Sequence, residues 1–245
     1  MNDAKLYQEN NFLQKRDAFD CLEEYADKIK WRKRGDKIID IGCGDGSVTV
    51  KLLKEYIPDN FEKLLGCDIS EKMVKFANGH HKDDKTTFSV LDIAGDLPED
   101  MKRKFDHAFS FYTLHWIKEQ ESAFKNIFDL ITNGRRLPSH GVERFISPYH
   151  DSQEPEKEIR TLMTKIGYSD IVVKCQEKMF VYDSPEAMKK AVRAVNPFKM
   201  PKVVFDDFML DYLQVVRDMK LIDEANNNKT SVRAHYTLIV VYGTK

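Results

Sequence analysis

The stretch Ile38-Ile39-Asp40-Ile41-Gly42-Cys43-Gly44-Asp45-Gly46-Ser47 constrains this chain more than any other. A short apolar run ends in three alternating glycines, and a helical pattern carrying Val48, Leu52 and Leu53 follows at once. The pattern predicts a strand, a tight turn and a helix N-terminus. Glycine lets the backbone turn sharply and approach a ligand closely. The helix start adds unsatisfied N–H donors at the same point. Such turns often open nucleotide-binding α/β domains, although a plain strand-to-helix loop can share the pattern.

The next two strands favour the nucleoside site. Lys63-Leu64-Leu65-Gly66-Cys67-Asp68-Ile69 is short and apolar and carries an acid near its end. Asp68 follows Gly46 at about the interval that places a carboxylate on a ribose diol. Thr86 to Leu91 is followed by Asp92-Ile93. Asp40, Asp68 and Asp92 thus stand at or near the C-terminal ends of three successive strands, where open α/β sheets bind their ligands.

Charge then selects the nucleoside. A dinucleotide would bring a pyrophosphate to a turn flanked by Asp40 and carrying Asp45, and the spacing is Gly-x-Gly-x-Gly rather than Gly-x-Gly-x-x-Gly. S-adenosylmethionine (SAM) has no phosphate and carries a sulfonium, an ammonium and one carboxylate. Asp40 can accept from the ammonium, and the turn amides can hold the carboxylate. The stretch resembles motif I of the class I SAM-dependent methyltransferases, with Asp68 as the ribose acid and Asp92 beside the adenine.

The 245 residues suffice for one large domain with a real core. A net charge of −1 with interspersed signs gives no reason to propose nucleic acid as a partner. Residues 1–30 are polar and lack the apolar core of a signal peptide, and no apolar run approaches transmembrane length. Cys21, Cys43, Cys67 and Cys175 show neither metal nor disulfide spacing. A reduced, cytoplasmic protein is the expectation.

Three regions are expected: an N-terminal helical cap over 1–33, a SAM-binding half over 34–132, and a substrate-side half over 143–245. In the first, Gln14 reads on pattern as a solvated helix residue. After the fourth strand, Phe105 to Phe111, the run Tyr112-Thr113-Leu114-His115-Trp116-Ile117 falls at the mouth of the same cleft. An indole N–H is a donor only and suits a carboxylate at the edge of an apolar pocket. Further helices are expected over Glu154 to Ile166, Pro185 to Val195 and Val203 to Lys220, with strands over Ile171 to Val181 and Arg233 to Val241.

Several motifs together resemble the insect juvenile hormone acid O-methyltransferases: Asp40 to Thr49, Gly66 to Ser70, Leu91-Asp92-Ile93, Phe109 to Trp116, Arg144 to Gln153, and Asn196-Pro197-Phe198. The resemblance covers nearly the whole chain. It implies a class I Rossmann-like α/β sheet with helices on both faces, SAM as cofactor, and methylation of the carboxylate of a sesquiterpenoid acid such as farnesoic or juvenile hormone acid. It implies Gln14 and Trp116 as the groups that orient that carboxylate, and the position of His115 beside Trp116 makes it a candidate third contact. The implied cofactor set is Asp40, Gly42, Cys43, Gly44, Gly46, Asp68, Ile69, Met73, Asp92, Ile93 and Ser110. No metal is implied. A non-catalytic relative that binds SAM or a terpenoid, and a methyltransferase for another carboxylic acid, are the rival readings.

One departure stands out. After Leu130-Ile131-Thr132-Asn133-Gly134 the family continues with an apolar fifth strand, whereas this chain reads Arg135-Arg136-Leu137-Pro138-Ser139-His140-Gly141-Val142. That run is basic and broken by proline. The expectation is a sheet ordered 3-2-1-4-5-7-6 whose fifth strand is deleted, with strand four meeting strand seven or a gap between them.

Overall fold

The computed structural model describes residues 3–132, the backbone course of 136–142, and residues 148–196, 198, 200–224 and 230–245. Arg144 to Ser147 and Pro197 of the resemblance motifs lie outside the described residues, as does a short low-complexity run, Asn226-Asn227-Asn228.

The strands are β1 (Lys37–Ile41), β2 (Lys63–Asp68), β3 (Thr86–Val90), β4 (His107–Phe111), β5 (Arg136–Val142), β6 (Ser169–Tyr182), β7 (Ile222–Glu224) and β8 (Thr230–Thr244). The helices are α1 (Ala4–Asn10), α2 (Phe12–Tyr25), α3 (Ser47–Lys51), α4 (Glu71–His81), α5 (Gln120–Leu130), α6 (Pro155–Ile166), α7 (Pro185–Val195) and α8 (Lys202–Asp218). One sheet runs β3-β2-β1-β4-β5-β8-β6, with β7 paired to β8. Strands β1 to β5 pair in parallel, and β8 is antiparallel to both β5 and β6.

Period-two alternation distributes the core. Ile39, Ile41, Ala108, Ile239 and Val241 pack on one face with Ile127 of α5 and Ile159 and Met163 of α6. Ile38, Phe109 and Phe111 pack on the other with Ala18 and Leu22 of α2. Leu238, Val240 and Tyr242 of β8 meet Leu13, Cys21 and Tyr25 of α2 on that same helix. Each fully buried Ile or Leu contributes about 1.5–3 kcal/mol. Local signals set the helix ends. Ser70 and Ser184 accept from the amides of Met73 and Ala187 at the starts of α4 and α7. Gly167, at φ +111°, closes α6.

The expected deletion of strand five is corrected by the sheet itself. Residues Arg136–Val142 occupy the central slot, parallel to β4 through Ser110–Ser139 and Phe111–His140, and antiparallel to β8 from Arg136–Thr244 to Val142–Leu238. Neither a gap nor a β4–β8 pairing forms. Two facing strands with unpaired N–H and C=O groups recruit whatever backbone lies between them, so tertiary demand outweighs poor strand propensity.

Candidate active site

The site lies where the C-terminal ends of β1, β2 and β4 meet α1. The turn after β1 is packed against the turn after β4: Gly42 has φ +73°, and a Cβ there would fall 1.9 Å from Thr113 Oγ1. That hydroxyl shares its single proton between the Gly42 carbonyl, at 3.2 Å, and the Phe111 carbonyl, at 3.0 Å. Gly46 at the start of α3 has φ +80° and lies against the Phe88 ring.

Five of the turn's amides have acceptors within the protein. Gly42 N and Cys43 N both donate to the Cys67 carbonyl (2.7 and 2.9 Å), and Gly46 N donates to Cys43 O. Gly44 N donates to Asp68 Oδ2 at 3.0 Å, and Ser47 N to Asp45 Oδ1 at 3.2 Å. Stitching the turn to β2 satisfies its buried donors.

A cavity of about 270 Å³ opens beside this turn. Gly42, Asp68, Ile69, Asp92, Ile93 and Trp116 of the expected residues line it. Tyr7, Ile41, Ser70, Leu91, Phe111, Tyr112, Thr113, Ile117 and Val195 complete the wall. Asp68 and Asp92 are the charged members; Lys, Arg and His contribute none. An acidic, otherwise largely apolar lining suits a cationic sulfonium and a purine and disfavours a phosphate. The residues therefore fit SAM.

Asp68, 9% exposed, accepts from Gly44 N and from Ser70 N (2.8 Å), and burial raises its carboxyl. Asp40 lies deeper, off the lining. Its Oδ2 accepts from the Thr49 hydroxyl at 2.5 Å, while burial, aided by the charge of Asp68, pushes its carboxyl up to about 7. Met73 and Ser110 are also buried behind the cavity wall, as are Cys43, Gly44 and Gly46. Asp45 is buried and accepts from Ser47 N and Oγ. Tyr7 of α1 sits over the turn, its Cε1 3.6 Å from where a Gly44 Cβ would be.

The three residues implied to bind substrate are not brought together equally. Trp116 lines the cavity, and its turn is anchored by Gln120, whose Nε2 donates to the carbonyls of Leu114 (2.7 Å) and Ile117 (2.6 Å). His115 stands behind Trp116, ring centroids 5.0 Å apart, off the lining. Burial pushes its imidazole down to about 3, which keeps it neutral. Gln14 is half-buried on α2 and does not line the cavity. Among the residues sequence reasoning missed, Tyr112 and Thr113 were within reach because they share the strand-four turn with Trp116. Tyr7 and Val195 carry no local signal, since helix packing alone delivers them.

Residues 39–137 match the family model described as a methyltransferase domain. The chain is 50% identical to juvenile hormone acid O-methyltransferase of Bombyx mori, over 100% of this chain and 98% of that protein. It is 33% identical to the Drosophila melanogaster protein of the same name, over 100% and 93%. The chain belongs to the juvenile hormone acid O-methyltransferase family. Its fold is that of the YcgJ protein of Bacillus subtilis, with a TM-score of 0.62 at 13% identity over 92% of this chain and 98% of that one. The Bombyx alignment spans 273 positions against 245 residues, so 28 positions of this juvenile hormone acid O-methyltransferase comparison have no counterpart here. The family's chain is thus shortened in this member, while the central strand position stays filled.

Proposed function

We propose that this chain is a SAM-dependent carboxyl O-methyltransferase that converts a sesquiterpenoid acid, farnesoic or juvenile hormone acid, to its methyl ester. The observation that carries the reading is Trp116 lining the same cavity as Asp68 and Asp92 in a chain that aligns throughout with a juvenile hormone acid O-methyltransferase. When bound, SAM supplies an electrophilic methyl group. Asp68, Asp92 and Ile93 would hold its ribose and adenine, and the Gly42 turn with Asp40 its methionine end.

The substrate carboxylate is ionised near neutral pH, so no general base is needed. The work of the chain is alignment and exclusion of water. Trp116 donates its indole N–H to one carboxylate oxygen without removing its nucleophilicity, as a neutral donor does more gently than a cation. Phe111, Tyr112, Ile117 and Val195 supply apolar wall around it. The family resemblance offers Gln14 of α2 as a second neutral donor.

In this reading residues 1–33 and 143–245 close the substrate side around the SAM-binding half, 34–132, as one domain. Among the described residues no disulfide forms and no helix is long and apolar enough to cross a membrane; a cytoplasmic location is part of the proposal. The near-neutral charge accords with a small-molecule rather than nucleic-acid partner. The test is methyl transfer from labelled SAM to farnesoic acid, juvenile hormone acid, a saturated fatty acid and a short polyacid. The terpenoid acids should turn over fastest; equal turnover of the polyacid would overturn the substrate assignment.

A further inference from the structure

Outside the cavity the structure holds an ionic cluster, built on a buried carboxylate, that the proposed reaction does not use. Asp17 of α2 is 2% exposed. Its Oδ1 accepts from Arg16 Nε at 3.1 Å and Nη2 at 2.9 Å. Its Oδ2 accepts from the hydroxyls of Tyr112 and Tyr236, the latter at 2.7 Å. The guanidinium also donates to the Met179 carbonyl at 2.9 Å and lies 4.9 Å from the Phe180 ring centroid. One carboxylate thus ties α2 to the turn after β4 and, through Tyr236 and Arg16, to β8 and β6.

We propose that Asp17 is a positioning residue for the candidate active site, fixing through Tyr112 the turn that carries Trp116. Tyr112 is the bridge because it lines the cavity and its hydroxyl donates to Asp17. Its φ is +56°, a left-handed conformation unfavourable for a bulky residue. That conformation directs Thr113 over Gly42 and starts the turn through Leu114–Trp116. A charged acceptor is the strongest partner a phenol can have, and burial keeps the Tyr112 hydroxyl protonated as a donor. Gln120 holds the far end of the turn; Asp17 holds the near end. The hydroxyl of Tyr112 is therefore committed to the scaffold. Gln14 lies on the same helix, three residues before Asp17, so the cluster also sets where that residue stands.

The kinetic arm of the test rests on the carboxylate-methylating reading; the spectroscopic arm does not. The chain has two tryptophans, Trp31 and Trp116, and Trp31→Phe leaves Trp116 as the sole reporter. In that background Asp17→Asn and Tyr112→Phe should red-shift Trp116 emission and raise its quenching by acrylamide. Tyr236→Phe, which removes the other donor to the same oxygen without touching the turn, should leave both close to the parent. SAM affinity by calorimetry verifies that each protein is folded. In turnover, Asp17→Asn and Tyr112→Phe should each cost about tenfold or more in kcat/KM for the acid, and the double variant should be no worse than the poorer single. Unchanged Trp116 emission and quenching in folded Tyr112→Phe would overturn the proposal even if Asp17→Asn failed to fold. A parent that binds SAM but methylates no terpenoid acid would overturn the functional reading, and the emission and quenching of Trp116 would still decide the role of Asp17.

Discussion

Thr113 Oγ1 donates to the Gly42 carbonyl at 3.2 Å and occupies the space a Gly42 side chain would need. The turn after β1 and the turn after β4 are therefore one packed unit. Gly42→Ala would place a Cβ 1.9 Å from that oxygen in a left-handed backbone. It should weaken SAM binding by more than about tenfold and lower the melting temperature, as strain and overpacking add to about 2–4 kcal/mol. Thr113→Gly in the same protein should restore part of the loss. A Gly42→Ala protein with parental SAM affinity, measured by calorimetry, would contradict the packing.

Asp68 serves the turn as well as the ligand. Asp68→Ala removes the acceptor for Gly44 N and Ser70 N, each a charge-assisted bond worth about 1.5–3 kcal/mol. The variant should melt lower even without SAM and bind SAM more weakly. Loss of SAM affinity with no change in ligand-free melting would show that the carboxylate acts on the ribose alone.

Asp40 makes stability and binding depend on pH in opposite directions. Its carboxyl is raised from 3.8 to about 7 in the folded chain. The folded state thus binds the extra proton between those values. Its contribution is fully present below pH 3.8 and falls as pH rises toward 7, by about 1.4 kcal/mol per unit. Denaturant titrations from pH 4.5 to 8 should show this slope in the parent and lose it in Asp40→Asn. A cationic ligand favours the ionised acid, so SAM affinity should rise as pH approaches 7 and binding should release a proton. SAM affinity independent of pH across that window would remove Asp40 from the methionine end of the site.

His115 should contribute no ionisation to turnover near neutrality. Its imidazole is lowered to about 3 by burial, so the folded chain binds fewer protons than the unfolded one between that value and 6.5. The associated stability is present above pH 6.5 and is lost as pH falls toward 3. His115→Gln should leave the pH profile of kcat/KM unchanged above pH 6. A limb near 6.5 that vanishes in this variant would make His115 a titrating participant.

Much of the site could be read from strand ends. Asp68, Asp92, Ile93 and Trp116 each follow an apolar run that had to be a strand, and a strand's C-terminal end fixes where the next residue lands. Tyr7 and Val195 could not be read, because they reach the cavity by the packing of α1 and α7, which have no sequence proximity to it. The Asp17 cluster was equally hidden: an Asp among polar helix residues gives no sign that two tyrosines 95 and 219 positions away will close on it. Strand β5 was misread for a different reason. Its composition argues against a strand, and only the unpaired flanks of β4 and β8 make it one.

Pro138 marks the cost of that substitution. It pairs opposite Tyr242 in a strand flanked by β8 and β4, and proline has no N–H to give either neighbour. Pro138→Val should add about 1 kcal/mol, some 2–4 °C in melting temperature for a chain of this length. An unchanged or lower melting temperature would place that nitrogen outside the ladder.

Methyl transfer by the chain itself tests the central claim most directly. Purified protein with SAM labelled in its methyl group and farnesoic or juvenile hormone acid should yield the labelled methyl ester, and Trp116→Phe should cut the rate while SAM affinity stays at the parental value. A protein that melts cooperatively and binds SAM, yet forms no ester from either acid, would contradict it.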